Sequence, residues 1–129
     1  MPQPPRHQIE RQLRALSDPL RLRILHLLQS GERCVCDLTT VLEIPQATAS
    51  RHVSYLRKAG LVSQREHRAW NYYRLVPPAG AFHRKLLECL DAAAATLPEL
   101  SADAKRARRL SDTGSRCQPR SSSEKRTRR

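Results

Sequence analysis

A chain of 129 residues, 39% hydrophobic and only 4% aromatic, has room for one core built from Leu, Ile, Val and Ala, which suits packed helices better than stacked sheets. Its formal charge of +12 points to a polyanionic partner, nucleic acid first, because Lys and Arg gain affinity by releasing counterions from phosphates. Residues 101–129 hold 10 Lys and Arg against 3 Asp and Glu, so the case for the body of the chain rests on where its own charges lie.

Residues 1–7 contain three prolines and read as a flexible arm. From Gln8 onward Ile9, Leu13 and Leu16 recur at helical spacing. Ser17-Asp18-Pro19 then starts a second helix, with Asp18 as cap and Pro19 in a first turn that needs no donor. Leu20, Ile24, Leu27 and Leu28 give it an apolar stripe, and Ser30-Gly31-Glu32 stops it. Val35, Leu38, Val41 and Leu42 predict a short third helix, Glu43-Ile44-Pro45 a turn, and residues 46–59 a fourth helix closed by Gly60 in a left-handed C-cap position. Two short helices joined by a tight turn have the layout of a helix-turn-helix, whose second helix enters the major groove of double-stranded DNA. That helix would offer Gln46, Thr48, Ser50, Arg51 and His52 to the duplex.

After Gly60 the pattern alternates. Residues 61–66 and 70–75 read as two strands joined at His67-Arg68-Ala69, a wing that carries Arg65, Arg68 and His67 toward the phosphate backbone. Trp70, Tyr72 and Tyr73 are expected to anchor that wing on the core rather than to stack on bases. Val76-Pro77-Pro78-Ala79-Gly80 breaks the chain before a last helix over 81–97, where Phe82, Leu86, Cys89, Leu90, Ala93 and Leu97 form a stripe suited to a dimer contact with the first helix. Residues 98–129, rich in Arg, Ser and Lys, are expected to be a basic disordered tail. The fold class is therefore mainly α with a small β-hairpin wing, a winged helix-turn-helix over residues 8–97, dimeric through its terminal helices.

No run of about 18 apolar residues and no apolar leader are present, so a cytoplasmic location without membrane contact is expected. In a reducing compartment Cys34, Cys36, Cys89 and Cys117 are free thiols or metal ligands before they are a disulfide framework. A Cys-x-Cys pair in the first turn of a helix lies at the positive dipole end, which favours thiolates, and thiolates select soft, thiophilic ions. Residues two apart on a helix point about 200° away from each other, so clasping one ion would bend the helix start. The alternative is that both cysteines are small buried hydrophobes. Cys89 could supply a third sulfur but reads as a packed interface thiol first, and Cys117, solvent or a cellular thiol could equally complete the coordination. No nucleophile elbow, Gly-rich phosphate loop or paired-carboxylate motif points to an enzyme.

The stretch ERCVCDLTTVLEIPQATASRHVSYLRKAGLV, followed by REHRAWNYYRL, resembles the arsenical-resistance repressor family (ArsR/SmtB) over roughly residues 8–97. The resemblance implies a homodimeric repressor on the operator of its own resistance operon, which leaves the DNA when Cys34 and Cys36 bind arsenite, As(III), or antimonite, Sb(III). Cd(II), Pb(II) or thiol oxidation are the alternative signals, and a non-sensing basic nucleic-acid-binding protein is the alternative class. Many arsenite-sensing members read CVCDLC at this point, whereas Thr39 stands here in place of the third cysteine. The family's zinc site on the last helix is not carried over, because His83, Glu88 and Asp91 lack its paired spacing.

Overall fold

The computed structural model describes residues 6–113. The elements are α1 (Arg6–Leu16), α2 (Pro19–Gln29), β1 (Arg33–Cys34), α3 (Val35–Leu42), α4 (Gln46–Lys58), β2 (Val62–His67), β3 (Trp70–Leu75), α5 (Ala81–Thr96) and α6 (Pro98–Thr113). The three strands form one antiparallel sheet in the order β1-β3-β2. The expected winged helix-turn-helix architecture is present.

The centre of the molecule is α2. Asp18 caps it by accepting from the backbone amides of Leu20 at 2.8 Å and Arg21 at 3.3 Å, while Pro19 occupies the first turn. Its Ile24, Leu25, Leu27 and Leu28 are buried against α1, α4, α5, α6 and β3. The side chains of α1 finish α4: Gln8 Nε2 and Gln12 Nε2 donate to the Ala59 carbonyl at 2.7 and 2.8 Å, and Arg11 to that of Lys58 at 3.2 Å. They satisfy carbonyls that a helix end leaves without an internal partner. Gly60 follows at φ +79, a left-handed backbone that favours glycine, and a Cβ there would stand 2.5 Å from Gln8 Nε2, so the end of that side chain would have to shift.

The turn between α3 and α4 places Glu43 in the left-handed region at φ 58 and tucks Ile44 against the core. In the wing, β2 and β3 pair from Val62↔Leu75 to His67↔Trp70. The turn is the two residues Arg68 and Ala69, at φ 53 and φ 68, as a two-residue hairpin of the right twist demands. His67 thus belongs to β2 rather than to the turn. Tyr73 is buried in the core and seats the wing on it, whereas Trp70 and Tyr72 are half-buried and lie outside the core cluster.

Three expectations are corrected. First, β1 adds a third strand, with Arg33 opposite Tyr73 and Cys34 opposite Tyr72. Two residues leave no alternation to read. Second, the helix of the presumed arm begins at Arg6, so Arg6 and His7 belong to α1. Third, the tail expected over residues 98–129 is helical over Pro98–Thr113, with Leu100, Asp103 and Ala107 buried along it, and its residues 114–129 lie outside the described residues. Its inward stripe carries a carboxylate and an alanine where aliphatic side chains would have announced a core face. The stripe of α5 is used within the chain as well, since Leu86 and Leu90 are buried and Phe82 packs on the core, while Cys89 is exposed on the single chain.

One buried titratable group lies in α5. His83 Nδ1 accepts from the backbone amide of Ala79 at 3.3 Å, and its buried Nε2 has no hydrogen-bond partner among the described residues. Burial pushes the imidazole pKa below its ordinary value. The unfolded chain therefore binds the proton first as pH falls, and the stability present above the ordinary imidazole value is lost below it. The melting temperature is expected to drop between about pH 7 and about pH 5, and His83→Gln should flatten part of that drop. An unchanged slope in the variant would show that His83 titrates alike in both states.

Candidate functional site

Ala49, Val53 and Leu56 turn one side of α4 into the core. Gln46 and Arg51 are exposed, whereas Thr48, Ser50 and His52 are half-buried. His52 sits on the flank facing α2, where its Nδ1 lies 3.5 Å from Arg21 Nη1. Burial lowers its pKa, so near neutral pH it offers a hydrogen bond rather than a charge. Arg21 itself stacks over Tyr55 at 4.1 Å and donates to the carbonyls of Ala15 and Arg14. The helical phase set by Ala49, Val53 and Leu56 puts Ala47, Arg51, Ser54 and Lys58 farthest from the core. Ser54 and Lys58 were missed by the sequence reading, although counting from Val53 finds them. Among the described residues no side chain caps α4 at Pro45, which leaves the first-turn amides open toward an anion.

The two arginines of the wing differ. Arg68 is exposed in the hairpin turn. Arg65 is engaged: its Nε and Nη2 donate to the two carboxylate oxygens of Glu32 at 2.9 and 2.7 Å, and its guanidinium stands 5.1 Å from the centre of the Tyr72 ring. That hydrogen-bonded pairing holds Glu32 below the usual carboxylate range and raises the Arg65 pKa.

Cys34 is the last residue of β1 and the N-cap of α3, in an extended conformation at φ −84 and ψ 163. Its side chain is 3% exposed. Burial pushes the thiol pKa up, the backbone amide of Asp37 opposes that, and the Asp37 carboxylate adds to it. The thiolate expected at this helix start is therefore not favoured at Cys34, because desolvation outweighs the amides of the first turn. Cys36 lies in the first turn of α3 and is disulfide-bonded, contrary to the expected free thiol. Its carbonyl accepts from the hydroxyls of Thr39 at 2.7 Å and Thr40 at 3.1 Å. Thr39, at the place of a third cysteine, is thus bound back onto the helix. Asp37 is buried beside Cys34, and its Oδ1 has no hydrogen-bond partner among the described residues.

Cys89 lies on α5, and Cys117 falls outside the described residues. Among the described residues no cluster of three or more His, Cys, Asp or Glu side chains is placed to hold a metal ion. The joint between β1 and α3 holds one free thiol, Cys34, and the disulfide-bonded sulfur of Cys36, and α3 packs directly on α4.

Residues 18–64 match the model of the bacterial regulatory protein family arsR. Over 64 residues, 49% of this chain and 72% of the relative, the sequence is 45% identical to an uncharacterized HTH-type transcriptional regulator of Methanocaldococcus jannaschii. Over 74 residues, 57% of this chain, it is 43% identical to the arsenical resistance operon repressor of Escherichia coli, of whose length the match spans 63%. Among solved structures, the homodimeric winged helix-turn-helix DNA-binding domain of a Mycobacterium bovis regulator superimposes with a TM-score of 0.59 at 32% identity, covering 70% of this chain and 82% of that one. No helix among the described residues is long and apolar enough to cross a membrane.

Proposed function

This chain belongs to the arsR family of bacterial regulatory proteins, and from that premise we propose that it is a homodimeric repressor that releases its operator when Cys34 and Cys36 capture arsenite or antimonite. The observation that carries the reading is the position of the two cysteines at the β1–α3 joint, one helix away from α4. A cellular dithiol first reduces the Cys36 disulfide and is itself oxidised; each of the two thiols then passes its proton to an arsenic-bound hydroxide that leaves as water, and two As–S bonds form. Cys34 is the N-cap and Cys36 the second residue of α3, so drawing both sulfurs onto one ion distorts the start of that helix and shifts α4 against the groove.

Gln46, Ser50 and Arg51 are the proposed base and phosphate contacts, with Thr48 and His52 at the flank of the same helix. Arg68 is the phosphate contact of the wing, and Arg65 joins it on leaving Glu32. Dimerisation is assigned to α1 and α5. Leu13 of α1, 53% exposed, is the large apolar side chain that the described chain leaves uncovered.

A fluorescence-anisotropy titration of the reduced protein on its own promoter fragment, repeated with arsenite, antimonite, Cd(II), Pb(II) and Zn(II), tests the reading. Release by arsenite or antimonite alone supports it. Release by Cd(II) or Pb(II) alone keeps the repressor and replaces its inducer, and no sequence-specific binding ends the repressor reading. A second reading has its own observation: Cys36 is disulfide-bonded. If thiol oxidation is the signal, an oxidant without any ion releases the operator and a reductant alone restores binding.

A further inference from the structure

Strand order and register put the thiol site and the wing in one row of the sheet. Cys34 in β1 lies opposite Tyr72 in β3, and Tyr72 lies opposite Arg65 in β2. Two strand spacings, about 10 Å, separate the proposed ion ligand from the guanidinium-bearing residue of the wing. The same row is closed from the other side: Glu32, two residues before Cys34, grips Arg65 through two hydrogen bonds of 2.9 and 2.7 Å, while Arg65 lies over the Tyr72 ring. The segment Glu32-Arg33-Cys34 thus forms a brace that holds the wing through backbone pairing at one end and a bidentate ion pair at the other. A bidentate carboxylate–guanidinium pair fixes direction as well as distance, so moving Glu32 turns Arg65.

We propose that Glu32 is a positioning residue that couples the thiol site to the wing, so that capture of an ion at Cys34 keeps Arg65 turned to Glu32 and off the phosphate backbone in addition to tilting α4. This rests on the reading of Cys34 and Cys36 as inducer ligands. Cys34 cannot leave its extended position toward Cys36 without loosening its pairing with Tyr72, and Glu32 travels with it on the same short segment. The signal therefore has two routes, and the Glu32–Arg65 pair belongs to the one that does not pass through α3.

The test is Glu32→Gln in the full chain, reduced, with arsenite and Cd(II) as probes. Three quantities are read: ion uptake without DNA by sulfur-to-metal absorption, operator affinity without ion with its salt slope, and the ratio of affinities with and without saturating ion. The expected result is unchanged uptake and tighter ion-free binding, with a salt slope steeper by about 0.9 as Arg65 turns to a phosphate. The ratio of affinities should shrink by about fivefold or more, within the range of ordinary allosteric couplings. The exchanged pair Glu32→Arg with Arg65→Glu restores a large ratio although it binds DNA more weakly, which separates coupling from lost folding.

A Glu32→Gln protein that takes up ion and keeps the parent's ratio overturns the proposal while leaving the inducer reading intact. A parent protein that takes up no ion, or stays on DNA at saturation, overturns both.

Discussion

Changing Cys34 to serine leaves operator binding within about threefold of the parent and raises the arsenite needed for half-release by about a hundredfold, roughly 2.8 kcal/mol of lost capture. The first half of that expectation follows from size and place. Serine is nearly isosteric with cysteine, the site is buried, and the new hydroxyl can donate to the unpartnered Oδ1 of Asp37 rather than stand unsatisfied. The second half follows from ligand chemistry, because a neutral hydroxyl is a hard, weakly acidic group that does not replace a soft sulfur on a thiophilic ion. Cys36→Ser should act in the same direction, and Cys89→Ser, exposed on α5, should leave release unchanged. The readout is the anisotropy titration in the presence of a reductant. Half-release of Cys34→Ser at the parent's arsenite concentration would mean that the sulfurs at the β1–α3 joint do not bind the inducer.

Local rules located most of the fold. Asp18-Pro19 starts a helix because a carboxylate and a fixed φ suit the first turn, and Gly60 ends one because the backbone there is left-handed under the amide of Gln8. The apolar spacing of α2, α3 and α4 placed the helix-turn-helix, and alternation placed the hairpin to within a residue. What escaped depends on distant partners. Glu32 and Arg65 are 33 positions apart, so nothing near Arg65 shows that its charge is engaged. Cys34 reads as a helix residue by its neighbours, yet it belongs to the sheet because Tyr72 accepts it as a pairing partner, and burial then raises rather than lowers its thiol pKa. The face of α4 was legible in its general position, but His52 is turned toward Arg21 of α2, a contact that only the packing angle of the two helices determines.

The largest expected loss of stability comes from Asp103, which by sequence is one acidic residue in a basic, Ser-rich stretch. It is 1% exposed, and its carboxylate accepts from Arg23 Nε at 2.8 Å, Arg23 Nη2 at 2.9 Å and Arg106 Nη2 at 3.1 Å. Arg106 Nε donates in turn to the Val41 carbonyl of α3 at 2.8 Å. One buried carboxylate therefore joins α6 to α2 and, through Arg106, to the helix that carries the thiol site.

Asp103→Ala leaves two guanidinium groups facing each other without their shared anion. Removing one partner of a buried pair costs about 3–5 kcal/mol. Arg23 and Arg106 retain 26% and 36% of their side-chain exposure and recover part of their hydration, which brings the expectation to about 2–3 kcal/mol. For a domain of this size that is a fall in melting temperature of roughly 10–20 °C. Because Arg106 then loses its orientation toward Val41, the start of the loss should be local: proteolysis near Leu97, between α5 and α6, should speed up before the core melts. Asp103→Asn, which keeps the shape and one acceptor, should lose less than Asp103→Ala. A variant that melts within about 1 kcal/mol of the parent would show that α6 rests on its apolar side chains, Leu100, Ala107 and Leu110, and that the polar junction adds direction but little stability.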